Sequence, residues 1–317
     1  MNYSIIIPHR NIPDLLMRCL ASIPVRGDVQ VIVVDDNSDN ADRYLEQYPE
    51  LSRPNLEFVR TTSGKGAGYA RNVGLDHAKG KWLIFADADD FFTDEFESLL
   101  DENVNAKEDI VFFPSLWVMS EDITKPSPVN NWINPMIERY FASGDEMEIR
   151  CRIPNPWGKF YKREFIESHS FRFHETRCAN DMFFVISACV SSPAVKVVNT
   201  PIYYYTFRSD SLSRRSLEEK GELEVRLIEG LQIQQVVLSS KYKSKNLPGM
   251  GFLSIAFHQN RPLFNKYFGA ALDTGLSPLQ AMAELRYREK TLINKIWVYM
   301  CCFYLFLKGK NKKGYHE

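Results

Sequence analysis

Short apolar runs alternate with helix-spaced stretches through the first third of the chain. Tyr3 to Ile7 (YSIII), Val29 to Val34 (VQVIVV), Leu56 to Arg60 (LEFVR) and Trp82 to Phe85 (WLIF) read as strands. Between them Asp14 to Ile23, Asp42 to Tyr48 and Tyr69 to Ala78 carry apolar positions at helical spacing, with Asp14 placed to cap the first of these helices. Strand, helix and strand in this order make βαβ units, whose strands are parallel and whose crossovers are right-handed. The pattern predicts an α/β fold with a mostly parallel central sheet flanked by helices. Pro8 is expected to end the first strand, because proline cannot donate to a ladder. Further on, Phe96 to Val104 reads as a helix, Ile110 to Phe113 as a strand, and Ser115 to Asn134 as irregular crossing structure. Val195 to Val198 and Ile202 to Phe207 read as strands, and the chain from Leu217 onward as helical, with Glu218 to Leu238 and Leu279 to Arg288 the clearest segments.

Each early strand stops in polar residues. The first delivers His9, Arg10 and Asn11, the second Asp35, Asp36, Asn37 and Ser38, and the Trp82 strand Asp87, Ala88, Asp89 and Asp90. Open α/β sheets bind ligands at the carboxyl ends of their strands. Two carboxylates one residue apart, Asp87 and Asp89, suit a hard divalent cation shared with substrate phosphates; a solvated acidic turn has the same composition. The loop Thr61 to Gly68 (TTSGKGAG) leads into a helix, where glycines let backbone N–H groups approach an anion. Lys65 and Arg71 put cations on or just after it, which favours phosphate. Packing alone has no need of three strands that end in charge at one sheet edge.

The ordered set S-I-I-I-P-H-R-N, V-I-V-V-D-D-N-S, G-x-G-Y-A-R-N-V-G and F-A-D-A-D-D resembles the nucleotide-binding half of glycosyltransferase family 2, whose members have the GT-A fold. The resemblance covers about the first 100 residues closely. It implies that Pro8 and Arg10 line a nucleotide pocket, that Asp36 holds a uracil ring, and that Asp89 reaches the Mn²⁺ or Mg²⁺ that bridges a diphosphate. Asp87, Ala88, Lys65 and Arg71 join them in the expected nucleotide-sugar pocket, and the implied donor is a UDP-sugar or similar nucleotide sugar. Arg10 stands where Tyr or another uncharged residue is more usual.

Three later segments extend the resemblance. Trp157-Gly158-Lys159-Phe160-Tyr161-Lys162-Arg163 is similar to the W-x-K-[LF]-[YF]-[RK]-R segment of polysaccharide-building members. Trp157 is a candidate to stack on a sugar face and Lys159 to meet a phosphate, although large aromatics more often lie in the core. Asn180-Asp181 stands where the family has an E-D pair, and the second acid is the general base of inverting members, which implies that role for Asp181. Glu175 is the fallback base, and a first-turn acid or cap of the helix from Met182 is the alternative for Asp181. The aromatic run Ile202 to Phe207 followed by Arg208 to Arg215 resembles the segment that closes over the diphosphate, where Arg208, Arg214 and Arg215 would offset charge on the leaving group.

Composition narrows the partners little. With 39 basic and 40 acidic residues the formal net charge is −1, which gives no reason to expect a nucleic-acid partner. The six cysteines form no C-x-x-C pair and read as reduced core thiols, as in the cytoplasm. The N-terminus has no basic start followed by a signal-length apolar region, so a secretory signal is not expected. Ile296 to Leu307 is apolar for 12 residues between lysines, short of the roughly 18 a spanning helix needs. Segment 296–313 therefore reads either as a contact with the inner membrane surface, which would make the protein peripheral there, or as a helix docked on the catalytic domain or on another subunit of a homo-oligomer. The expected organisation is a nucleotide-sugar-binding half over 1–115, an acceptor-binding half over 116–215 and a helical region over 216–317. The expected reaction is inverting sugar transfer to a glycan or lipid-linked acceptor in bacterial surface polysaccharide synthesis, such as capsule or lipopolysaccharide. Two rival readings fit the same residues. One is a non-catalytic nucleotide-sugar-binding module of an assembly complex. The other is a nucleotidyltransferase, against which the absence of an N-terminal G-x-G-x-R signature argues.

Overall fold

The structure, a computed structural model, describes residues 1–39, 41–208, 221–242 and 250–274. Ten strands and eleven α-helices occur among them in the order β1 (Tyr3–His9), α1 (Pro13–Ala21), β2 (Val29–Asp35), α2 (Tyr44–Gln47), β3 (Leu56–Arg60), α3 (Ala67–His77), β4 (Trp82–Phe85), β5 (Phe91–Phe92), α4 (Phe96–Asn103), β6 (Ile110–Phe112) and β7 (Ser115–Met119). There follow α5 (Asn134–Ser143), α6 (Met147–Arg152), β8 (Lys159–Lys162), α7 (Arg163–Ser168), α8 (Met182–Ser191), β9 (Val195–Val197), β10 (Tyr203–Phe207), α9 (Glu222–Ser239), α10 (Met250–Gln259) and α11 (Arg261–Asp273). Met1–Ile149 with Ile153–Arg215 forms one compact unit, and Arg150–Arg152 with Ser216–Glu317 a second.

In the first unit a seven-stranded sheet runs in the order β3-β2-β1-β4-β8-β6-β9, with β8 antiparallel to both its neighbours and the other pairs parallel. The near-continuous apolar runs of β1, β2 and β4 are buried along their length, as strands covered on both faces must be. Phe85 of β4 meets Tyr161, Phe173 and Phe184 edge-on, which ties the sheet to α8 and the loop before it. A smaller sheet, β5-β10-β7, stands beside the end of β4.

Pro8 does not end β1, which pairs with β2 as far as His9 opposite Asp35. The Ile6 carbonyl accepts from Ala86 on the β4 side and the His9 carbonyl from Asp36 on the β2 side, so Pro8 faces the β4 side. There the pairing with β4 has already ended, at Ile6 opposite Phe85, and the missing N–H costs no ladder bond. Asp14 is not a cap: α1 begins at Pro13 without a side-chain cap, and Asp14 sits in its first turn. The 115–134 stretch is not wholly irregular, because Ser115–Met119 pairs in parallel with β10.

The second unit's described helices pack through buried Leu227, Ile233 and Val237 of α9, Ala256 and Phe257 of α10, and Phe264 and Phe268 of α11. No helix among the described residues is long and apolar enough to cross a membrane. The predicted helix over 279–288 and the apolar stretch 296–313 lie outside the described residues.

Candidate active site

Three neighbouring parallel strands deliver the site. At the ends of β1 and β2 the buried His9 and Asp35 pair at 3.0 Å through Nδ1, while His9 Nε2 accepts from the Ile12 N–H, so Nδ1 carries the proton. Burial pushes the Asp35 carboxyl up, but bonds from His9 and Ser38 outweigh it and hold the group below its ordinary value. The next acid, Asp36, turns to the glycine loop and accepts from the backbone N–H groups of Lys65 at 3.1 Å and Gly66 at 2.7 Å. The loop's amides therefore meet an anion, but the anion is the protein's own. Pro8 is half-buried, and the exposed Arg10 lays its guanidinium over Gly64, where a Cβ would come within 2.6 Å of Nη1. The exposed Lys65 stacks its ammonium on Tyr69, 4.5 Å from the ring centre.

At the end of β4 the chain turns sharply and stacks three carboxylates in four residues. Asp90 is buried and accepts from the Thr206 N–H at 2.7 Å; burial and the charges of Asp89 and Asp87 hold its carboxyl far above the usual range. Asp89 keeps its side chain 25% accessible, and burial followed by repulsion from Asp87 raises its carboxyl too. Its backbone carbonyl is held by Arg18 at 2.5 Å and Thr206 Oγ1 at 2.7 Å, while Arg208 Nε stands 3.8 Å from its Oδ2. The Asp87 N–H donates to Tyr203 Oη at 2.9 Å and its carboxylate accepts from Arg71 at 2.7 Å. Ala88 is buried between the two acids.

Arg71 is the hinge of the arrangement. Its guanidinium is almost fully buried, crosses the Phe173 ring, and donates to Asp87 with Nη2 and to Asn180 Oδ1 with Nη1 at 2.9 Å. Expected on a phosphate, it instead links the acids after β4 to the Asn180-Asp181 pair before α8. Asp181 occupies the N-cap position of α8, yet its carboxylate makes no capping bond. It is half-buried, and burial raises its carboxyl while Arg71 opposes the shift. Ala179, just before the pair, has φ +54°, a left-handed conformation that is costly for a non-glycine residue. Glu175 lies exposed in the preceding loop.

Other candidates are placed differently. Trp157 is only 4% exposed and stacks on Tyr203 at 5.1 Å and Tyr205 at 5.8 Å, so its faces are packed against protein. Lys159 is 1% exposed; its ammonium donates to the Asn155 carbonyl at 2.5 Å and crosses the Phe112 ring, and its charge acts on Asp181. Arg214 and Arg215 lie outside the described residues. Tyr203, Arg18 and Thr206, which brace the acids, went unnoticed in the sequence. The alternation of Y-Y-Y-T-F, which puts Tyr203 and Tyr205 on one face and Thr206 on the other, was the available signal.

Among the described residues no group of three or more His, Cys, Asp or Glu side chains could hold a metal ion by itself. The site nonetheless fits Mg²⁺ or Mn²⁺ shared with a ligand, since such ions take one or two carboxylates and complete their shell with water and phosphate. Asp89, partly accessible and poorly compensated, is the carboxylate such an ion would relieve, with Asp87 alongside.

A sequence profile of Glycosyl transferase family 2 matches residues 4–170. The chain belongs to this family. EpsH of Bacillus subtilis, a glycosyltransferase by name, is 25% identical over 225 residues, 67% of this chain and 62% of that protein. The poly(ribitol-phosphate) beta-glucosyltransferase of Bacillus spizizenii is 27% identical over 220 residues, 66% of this chain and 33% of its own. The chain thus matches less than two thirds of the length of either relative. Residues 1–349 of TarS from S. aureus, solved in complex with UDP-GlcNAc, superpose with a TM-score of 0.68 over 98% of this chain and 92% of theirs at 18% identity, a likeness of fold. The GT-A fold expected of a family 2 glycosyltransferase is the fold observed.

Proposed function

We propose that the chain is an inverting glycosyltransferase that moves one sugar from a nucleotide-diphosphate donor, a UDP-sugar, to a hydroxyl of a glycan or lipid-linked acceptor in bacterial surface polysaccharide synthesis. The supporting observation is the Arg71 bridge, which joins Asp87 of the β4 acids to Asn180 and so sets Asp181 beside them. Asp181, uncapped and desolvated, takes the proton of the acceptor hydroxyl as its oxygen attacks the anomeric carbon from the face opposite the diphosphate. The bond from that carbon to the diphosphate oxygen breaks, and the configuration inverts. Arg208, beside Asp89, is placed to offset charge growing on the leaving group. A Mn²⁺ or Mg²⁺ held by Asp89, with Asp87 alongside, would supply Lewis-acid neutralisation of the diphosphate. Pro8, Arg10, Asp36 and Lys65 border the nucleotide end, and the reaction is assigned to the cytoplasm or the inner face of the membrane.

The test is UDP release from a panel of UDP-sugars with Mn²⁺. One donor should be hydrolysed, and Asp89→Ala should abolish the metal-dependent rate. With acceptor, Asp181→Asn should cost about 10² to 10⁴ in kcat, the worth of a positioned base. Since burial raises the Asp181 carboxyl, kcat/KM in the native chain should fall with acid at a higher pH than a solvated carboxylate would dictate, and Asp181→Asn should lose that limb. A residual rate with the native pH profile would remove Asp181 from its role. The neutral Asn180 in the Arg71 bridge favours a second reading, a nucleotide-sugar-binding module; binding of UDP with metal but no release from any donor would support it.

A further inference from the structure

We propose that the acceptor saccharide lies against the outer end of an aromatic stack, formed by Tyr205, Trp117 and Trp132, whose buried inner rings reach the β4 acids, an inference that rests on the glycosyltransferase reading above. The stack starts at Tyr203, fully buried, whose hydroxyl holds the Asp87 N–H at 2.9 Å. Trp157 stacks on Tyr203 and also on Tyr205, and Trp117 packs on Tyr205 with ring centres 4.6 Å apart. Trp132 meets Trp117 edge-on at 6.3 Å. Exposure grows along the series, from 0% at Tyr203 and 4% at Trp157, through half-buried Tyr205 and Trp117, to 37% at Trp132.

The register explains the line. β10 and β7 pair in parallel with Tyr203 opposite Ser115 and Tyr205 opposite Trp117, so these side chains share one face of the small sheet. Trp157 fills the inner end of that face and leaves its outer end to Trp117 and Trp132. A packed core has no use for an indole more than a third exposed at the end of such a stack. A pyranose ring offers one face of C–H groups and a rim of hydroxyls, which suits an aromatic surface that is apolar at its centre and wet at its edge. The accessible rings are stacked, through Trp157, on Tyr203, which holds the Asp87 N–H, and this link to the acids, not mere exposure, selects a saccharide as the occupant. The stacking role expected of Trp157 thus falls to residues farther out, in a stretch expected to be irregular.

The experiment labels the full chain with 5-fluorotryptophan and assigns the five indole ¹⁹F signals by single Trp→Phe substitutions. It then titrates methyl β-D-glucopyranoside, chitotetraose and cellotetraose, with phosphatidylglycerol vesicles as a separate arm. Signals of Trp132 and Trp117 should shift with at least one saccharide while Trp82 stays still. In turnover, Trp132→Ala should raise the KM for that saccharide about tenfold with kcat within about twofold, as expected for loss of one stacked ring, and Trp132→Phe should recover most of the loss. No shift with any saccharide, a response to vesicles alone, or an unchanged KM in Trp132→Ala would overturn the proposal. The ¹⁹F arm needs no turnover, so a chain that releases no UDP would count against the enzyme reading while the platform is still decided.

Discussion

Among single residues, Lys159 carries the clearest electrostatic consequence. Burial holds its ammonium at a pKa of about 8, against 10.5 for an ordinary lysine. Below about pH 8 both folded and unfolded chains hold the proton, and the native state bears the cost of a buried cation. Between about 8 and 10.5 the unfolded chain keeps a proton that the folded chain has released, so stability from this residue rises with pH across that window. The predicted rise between pH 8 and 10 is about 2 kcal/mol. Urea unfolding of the native chain and of Lys159→Met at both pH values isolates it, because other groups titrate alike in the two proteins. A difference that stays flat would mean that Lys159 is hydrated in solution. The same burial bears on chemistry: the Lys159 ammonium is engaged within the protein, by the Asn155 carbonyl and the Phe112 ring.

At the scale of elements, α3 holds the site together through two glycines that admit no side chain for different reasons. A Cβ on Gly74 would stand 2.3 Å from Cγ2 of Ile6, a branched side chain of the central strand. A Cβ on Gly68 would stand 2.1 Å from the His174 carbonyl oxygen and 3.0 Å from Cβ of Asn180, in the loop that carries Asp181. Gly74→Ala should destabilise by about 1–3 kcal/mol through overpacking, partly offset by up to about 1 kcal/mol of helix propensity. Its transfer rate below the unfolding transition should match the native chain. Gly68→Ala should also lower Tm, but it displaces the loop before α8 and should cut kcat by about tenfold or more, since misplacing a base by about 1 Å can cost that much. Calorimetry beside turnover separates the two, and equal kcat in both variants would show that the loop absorbs the shift. The strands β1, β2 and β4 were legible because each is a near-continuous apolar run ending in charge, a pattern set by burial on both faces. β7 was not, because Ser115–Met119 is short, begins among Ser and Pro, and is a strand only through pairing with β10 far along the chain. Asp87, Asp89 and Asp181 could be picked out by motif order, but the Arg71 bridge between them could not, since no spacing in sequence tells a buried guanidinium from a phosphate ligand.

For the molecule as a whole, the described residues of the candidate site, from Pro8 to Arg208, belong to the first compact unit, and α9 to α11 belong to the second. A ligand that binds only the native state stabilises whatever must unfold to release it, by about 2.7 kcal/mol at a hundredfold excess over Kd. With UDP and Mn²⁺ at that excess, amide exchange should slow up to about a hundredfold around Asp36, Lys65 to Gly68 and Asp87 to Asp90, the proposed nucleotide end. Exchange in α9 and α11 should stay as in the free chain. Asp89→Ala should erase the part of the protection that depends on Mn²⁺ while leaving that given by UDP alone, because Asp36 and the glycine loop hold each other without the ion. Protection confined to residues 222–274 would relocate the nucleotide site to the second unit and, with it, remove the role assigned to the acids after β4.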